Sequence, residues 1–203
     1  VRVKEFWSLV ERAREDVLDD GAAWPSGSMI GEALAARLAQ LPAERIVEFQ
    51  RCYERLAARG HRWGLCAAAY VIRGYVSDDS FSDFKAGLIG LGREAFERAV
   101  ADADALADQP VVRAIADGHV DRFSLAAEAV QVAASNTFRQ HSDDADGFWE
   151  ALEAQHDEPG GEGEPSAAEH WSGRFGSADD AAQIPLRLPR LLALFPSAAR
   201  SAY

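Results

Sequence analysis

Ser77, Asp78 and Asp79 are the residues whose types and spacing are best suited to chemistry in this chain. Two adjacent carboxylates beside a hydroxyl can accept from a cation, hold a divalent metal through oxygen, or pass a proton as acid and base. The same triplet has a plainer use. A serine hydroxyl accepts from a free amide at a helix start, and aspartates in the first turn face the positive end of the helix dipole. Ser142-Asp143-Asp144 and Asp179-Asp180 repeat the theme at other predicted breaks, which favours capping over catalysis. Around the triplet stand aromatic and basic residues, so Trp63, Arg73, Tyr75, Asp78, Asp79, Phe84 and Lys85 make a candidate ligand-binding groove with aromatic walls and a few charges. If the chain is an enzyme, Asp78 and Asp79 are its candidate acid, base or metal-ligand groups.

Other reactive patterns are missing. The five histidines, His61, His119, His141, His156 and His170, form neither an i, i+4 pair nor HExxH, and no zinc site is expected from them. The GLIGLG run at 87–92 follows Lys85, but no strand precedes it and no GK[ST] ends it, so it is not read as a phosphate loop. No GxSxG elbow accompanies Ser77. Cys52 and Cys66 lie in apolar surroundings and build no CxxC pair, which points to buried, reduced thiols. No cofactor and no metal is expected.

The elements that must position the triplet are helices. Phe6, Leu9, Val10, Ala13 and Val17 recur at helical spacing over 4–18; Ile30, Leu34 and Leu38 mark a second helix with Ser28 as its expected cap, and Ile46, Phe49, Tyr53 and Leu56 a third that opens at Pro42 and stops at Gly60. The segment 63–73 is apolar on nearly every face and predicts a central helix. Ser77 opens the next, with Phe81, Phe84, Leu88 and Leu91 inward, and Gly92 ends or kinks it. Further helices are predicted over 93–103, 110–115 and from 124 to near Phe138, with a turn or two around Phe148, Trp149 and Leu152. The fold class is therefore all-α: a compact multi-helix domain of about seven to nine helices over 1–155. An acidic Pro/Gly linker over 156–166 follows, and then an irregular C-terminal tail, 167–203, whose apolar residues dock it back on the domain. Pro185 and Pro189 restrict its helix to a short piece near 190–195.

A chain of 203 residues suits one such domain. Its net charge of -12 opposes nucleic acid and anionic membranes, so neither is an expected partner. The longest uncharged apolar run, 65–72, is far shorter than the roughly 20 residues that span a bilayer. The opening VRVKEFW leads straight into an amphipathic pattern, and the expected location is the cytoplasm.

Trp63, the run 67–70, Ser77-Asp78-Asp79, Phe81, Phe84, Leu88-Ile89 and Gly92 form a pattern that resembles domain-of-unknown-function family 4240. The resemblance extends to Phe6-Trp7, to Leu41-Pro42-Ala43-Glu44-Arg45-Ile46 and to 96–107, about half the chain. It implies a small helical domain of bacterial, mostly actinobacterial, proteins whose molecular activity is not established. Four positions depart from the family pattern: Cys66 and Gly87 stand where it has tryptophan, and Tyr75-Val76 where it has Gly-Cys. The missing ring volume must be refilled by neighbours or remain as a cavity beside Asp78.

The leading functional expectation is a binding or accessory protein that recognises a peptide, a protein or a small cationic ligand in an aromatic and acidic groove. Its rivals are a tailoring enzyme of bacterial secondary metabolism that uses Asp78 and Asp79, and an immunity or regulatory partner steered to a basic protein by the acidity of the chain.

Overall fold

Helical periodicity translates directly into helices in a computed structural model, which describes residues 1–21, 23–141, 147–154 and 176–198. Helix α1, Val3–Asp19, buries Phe6, Trp7, Val10, Ala13 and Val17 as one stripe. Helix α2, Gly27–Leu38, is capped by Ser26, whose hydroxyl accepts from the Met29 amide at 3.3 Å, rather than by Ser28, which lies inside it. Helices α3, Ala43–Arg59, and α4, Trp63–Arg73, follow, and α4 buries residues on almost every side, as its composition requires. Then come α5, Asp78–Gly90, α6, Arg93–Ala101, a 3-10 helix, Ala103–Asp108, and α7, Pro110–Ala116. Helix α8, Glu128–His141, starts four residues later than the apolar pattern suggests, because 122–127 packs as a loop against α5. Helix α9 is Gly147–Ala154. Among the described residues there is no strand, and the all-α expectation holds.

The closest helix pairing is α2 on α8. It depends on two glycines one turn apart: a Cβ on Gly27 would stand 2.3 Å from the Ala126 carbonyl oxygen, and one on Gly31 2.5 Å from Ala129. The residues that meet the two glycines are alanines 126, 127 and 129, so the two backbones approach with little side chain between them. One continuous core unites α1 to α9, with Phe6 stacked on Phe49 at 4.5 Å and Trp7 against Phe96 at 5.5 Å.

The C-terminal segment returns to this body, as expected, but it is more ordered than its prolines suggest. Helix α10, Ala178–Arg187, continues through Pro185, and α11, Pro189–Leu194, follows. The proline is tolerated because it falls in the last turn of α10, after a capping box between Ser177 and Asp180 has already fixed the start, and Leu188 still donates to the Ile184 carbonyl at 2.8 Å. Ile184, Leu188 and Leu191 are buried against α4 and the 3-10 helix. The linker expected over 156–166 lies outside the described residues, as do His156, His170, Trp171 and Phe175. No helix among the described residues is long and apolar enough to cross a membrane.

Candidate functional site

Ser77 adopts an extended conformation and opens α5 with a reciprocal capping box: its hydroxyl accepts from the Ser80 amide at 3.3 Å, and the Ser80 hydroxyl accepts from the Ser77 amide at 2.7 Å. Asp78 and Asp79 are exposed in the first turn, where charge meets the helix dipole. Arg73, close to them in sequence, bonds instead to the Ser80 carbonyl and the Tyr75 hydroxyl. Phe84 is fully buried, 0% exposed, because it falls on the inward stripe with Phe81 and Leu88; it walls no groove. Lys85 is half-buried on the flank of α5, with Nζ 3.4 Å from His61 Nδ1 and 5.0 Å from the centre of the Phe81 ring, and burial holds its pKa below the usual lysine value.

What gathers near the acidic turn is an aromatic clamp around Arg73. Gly74, at φ +84°, ends α4 in the left-handed region and turns the chain so that Tyr75 folds back over the last helical residue. The guanidinium of Arg73, only 3% exposed, lies 5.3 Å from the Tyr75 ring centre and 5.2 Å from that of Phe123. It donates to the Ser80 carbonyl at 2.6 Å and to the Tyr75 hydroxyl at 3.3 Å, while its Nε is buried without a partner. Arg122 in turn donates to the Arg73 carbonyl at 3.2 Å. Both clamping rings face water on their other sides, Tyr75 at 46% and Phe123 at 44% exposure. Asp83 is half-buried close by, and its carboxyl sits above the ordinary range because burial disfavours the charge and Glu128 and Asp79 repel it, which Arg73 only partly offsets. Asp83, Asp79 and Glu128 thus form an acidic cluster near the clamped guanidinium, with Asp78 next to Asp79 in the first turn of α5.

Phe123 reaches this place because of Gly87. A Cβ there would stand 1.7 Å from the Leu125 carbonyl oxygen, so the loop 122–127 lies directly on the α5 backbone, with the Ala127 amide donating to the Asp83 carbonyl at 3.1 Å. The space beside Gly87, where the family pattern has tryptophan, is filled by the main chain of Leu125. A cleft of about 840 Å³ lies beside Gly74, lined among others by Tyr70, Gly74, His119, Arg122 and Phe195. Trp63 belongs to neither place. It lies under α10, with Nε1 donating to Asp180 at 2.5 Å and the Arg187 guanidinium 5.2 Å from its ring. Of the residues singled out from sequence, Arg73, Tyr75, Asp78 and Asp79 share one edge, Lys85 lies along the flank, and Trp63 and Phe84 are elsewhere. Phe123, Arg122, Asp83 and Glu128 were not singled out; a lone aromatic in a loop has no period to betray it.

No group of three or more His, Cys, Asp or Glu side chains among the described residues is arranged to hold a metal ion. The arrangement can receive a cation or a basic side chain on the outer ring faces, with the Asp83 and Asp79 carboxylates in the same neighbourhood. A helical domain with one aromatic and acidic edge is what fold and site together define. Residues 1–140, which extend through nearly all of α8, match the family described as "Protein of unknown function (DUF4240)", and the chain belongs to that family. Helices α9, α10 and α11 lie beyond the matched stretch. No curated protein and no solved structure matches the chain.

Proposed function

We infer that the chain is a non-catalytic binding protein of the cytoplasm, and that it engages a basic segment of a peptide or protein at the edge formed by Tyr75, Phe123, Asp78, Asp79 and Asp83. The observation that carries this reading is the pair of nearly half-exposed rings held firmly over a buried guanidinium beside an acidic helix start. Rigid aromatics lose little entropy on binding, and a lysine or arginine laid on their outer faces is attracted both by the rings and by the carboxylates. Burial first, and then the like charges of Glu128 and Asp79, raise the Asp83 carboxyl, and an incoming cation relieves the repulsive share. The net charge of -12 speeds encounter with a basic partner at low salt. The reading as an enzyme has less behind it: Asp78 and Asp79 are exposed in the first turn of a helix that Ser77 caps.

Calorimetric titration of the full chain with the amidated peptide Gly-Arg-Gly-Arg-Gly at low salt tests the inference, with Gly-Glu-Gly-Glu-Gly as control. Saturable uptake of the arginine peptide alone is expected, weakened roughly two- to fivefold by Phe123→Ala and by Asp79→Asn, on the scale of exposed cation–π and ion-pair contacts. Equal uptake of both peptides, or none of either, refutes it.

A further inference from the structure

The family domain is in contact with a segment of chain that lies outside the family match. Two of its polar groups are completed there. Asp104, on the 3-10 helix and 6% exposed, accepts from the backbone amides of Arg190 at 3.1 Å and Leu191 at 2.9 Å, the open N-terminal amides of α11. Trp63, at the start of α4, donates its indole N–H to Asp180 of α10. That carboxylate binds twice: Oδ1 takes the indole while Oδ2 closes the Ser177 capping box. Burial opposes the ionisation of Asp180, but the hydrogen bonds from Trp63 and Ser177 outweigh it and hold its carboxyl below the ordinary range. Arg190 pairs with Asp108, and Arg187 covers the Trp63 ring. Between these polar contacts Ile184, Leu188 and Leu191 enter the apolar face, Leu191 at 0% exposure, whereas Leu186 points away at 74%.

Spacing of three and four among anchors is how a groove reads a helical peptide. Ile184, Leu188 and Leu191 keep it across the junction of α10 and α11, with Pro189 fixing the second helix start and Arg190 opposite Asp108. Two helices of ten and six residues are too short to persist alone in water, so their order comes from the surface beneath them. The 21 residues of sequence from 155 to 175 separate this segment from α9, enough chain, at about 3.3 to 3.6 Å each, to let it leave and return. We propose that the face formed by α4 and the 3-10 helix is a receptor for a short helical peptide bearing leucines and a first-turn arginine, and that residues 177–195 occupy it as a resident, exchangeable ligand in cis. This face stands apart from the Tyr75–Phe123 edge, and either assignment can fail without the other.

The test uses the full chain with a protease site placed between 156 and 166. After cleavage the C-terminal piece remains bound by non-covalent contacts alone, and a fluorescent synthetic peptide of residues 176–198 should replace it reversibly, read as a rise in anisotropy that excess unlabelled peptide abolishes. Because substitutions made in the peptide leave the domain untouched, they separate recognition from folding. Leu191→Ala in the peptide should weaken competition about thirtyfold or more, and Leu186→Ala should leave it unchanged. Two results overturn the proposal: loss of helical circular dichroism from the domain when the cut piece departs, which makes the segment an integral part of the core, or failure of the labelled peptide to exchange at any concentration.

Discussion

Replacing Gly87 with alanine sets a methyl group 1.7 Å from the Leu125 carbonyl oxygen and 2.7 Å from its carbon, in the middle of α5. Main chain cannot rotate aside as a side-chain end can, so the loop 122–127 must retreat by about 1.5 Å or more to restore ordinary contact. Overpacking of this kind costs about 1 to 3 kcal/mol, and the helix preference of alanine over glycine returns at most about 1 kcal/mol. An approach of 1.7 Å to main chain belongs to the upper part of that range, so a net loss of about 1 to 2 kcal/mol is expected, a fall in thermal midpoint of about 2 to 8 °C for a chain of this length. Gly90, three residues on in the same helix, provides the control. A Cβ there meets Val130 and Ile30 side chains at 3.7 and 3.8 Å, ordinary contact, so Gly90→Ala should gain a few tenths to about 1 kcal/mol. Urea denaturation of both variants beside the parent, followed by circular dichroism, measures the difference directly. The loop also carries Phe123, so Gly87→Ala should loosen the aromatic clamp and weaken uptake of the arginine peptide, while Gly90→Ala leaves it intact. A Gly87→Ala variant as stable as the parent would refute the packing argument and, with it, the account of how Phe123 is positioned.

Ser77→Ala removes an acceptor from a reciprocal capping box and should cost about 1 kcal/mol in the same denaturation assay; no loss would mean that the hydroxyl contributes nothing to the start of α5. For Cys66, burial raises the thiol pKa to about 12, with the charges of Asp180 and Asp78 acting in the same direction. The unfolded thiol loses its proton near pH 8.5 while the folded one keeps it, so the folded state binds more protons between about pH 9 and 12 and stability falls as pH rises through that window, by up to about 1.4 kcal/mol per unit from this group. Denaturation at pH 8.5 and 10.5 should show a smaller decline in Cys66→Ala than in the parent; equal declines would remove the thiol from the account.

Helix positions were legible in the sequence wherever apolar residues recur at three and four, which is why α1, α3 and the inward face of α5 match their predicted stripes. The cap at Ser77 was equally plain, since it depends on neighbours in the chain. The aromatic clamp was only half visible. Arg73 and Tyr75 adjoin the acidic turn, but Arg122 arrives from 49 residues beyond Arg73, with Phe123 next to it, through a loop whose seat is created by the absence of a side chain at Gly87. Such a contact leaves no periodic trace. Trp63 was misplaced for a related reason: its apolar neighbours mark α4 as central, whereas its partner Asp180 lies 117 residues further on. Pro185 misleads in the other direction, because a breaker rule takes no account of a cap that has already fixed the first turn.

The bare ridge of α2 has a consequence for synthesis. Gly27 and Gly31 accept only a helix that starts a hundred or so positions later, and translation at about 5 to 20 residues per second leaves that ridge uncovered for about 5 to 20 seconds after it has left the ribosome. Until then the first half of the domain has no finished interior, so nascent chains stopped short of residue 141 should depend on chaperones, and any shortened version for the laboratory must keep α8.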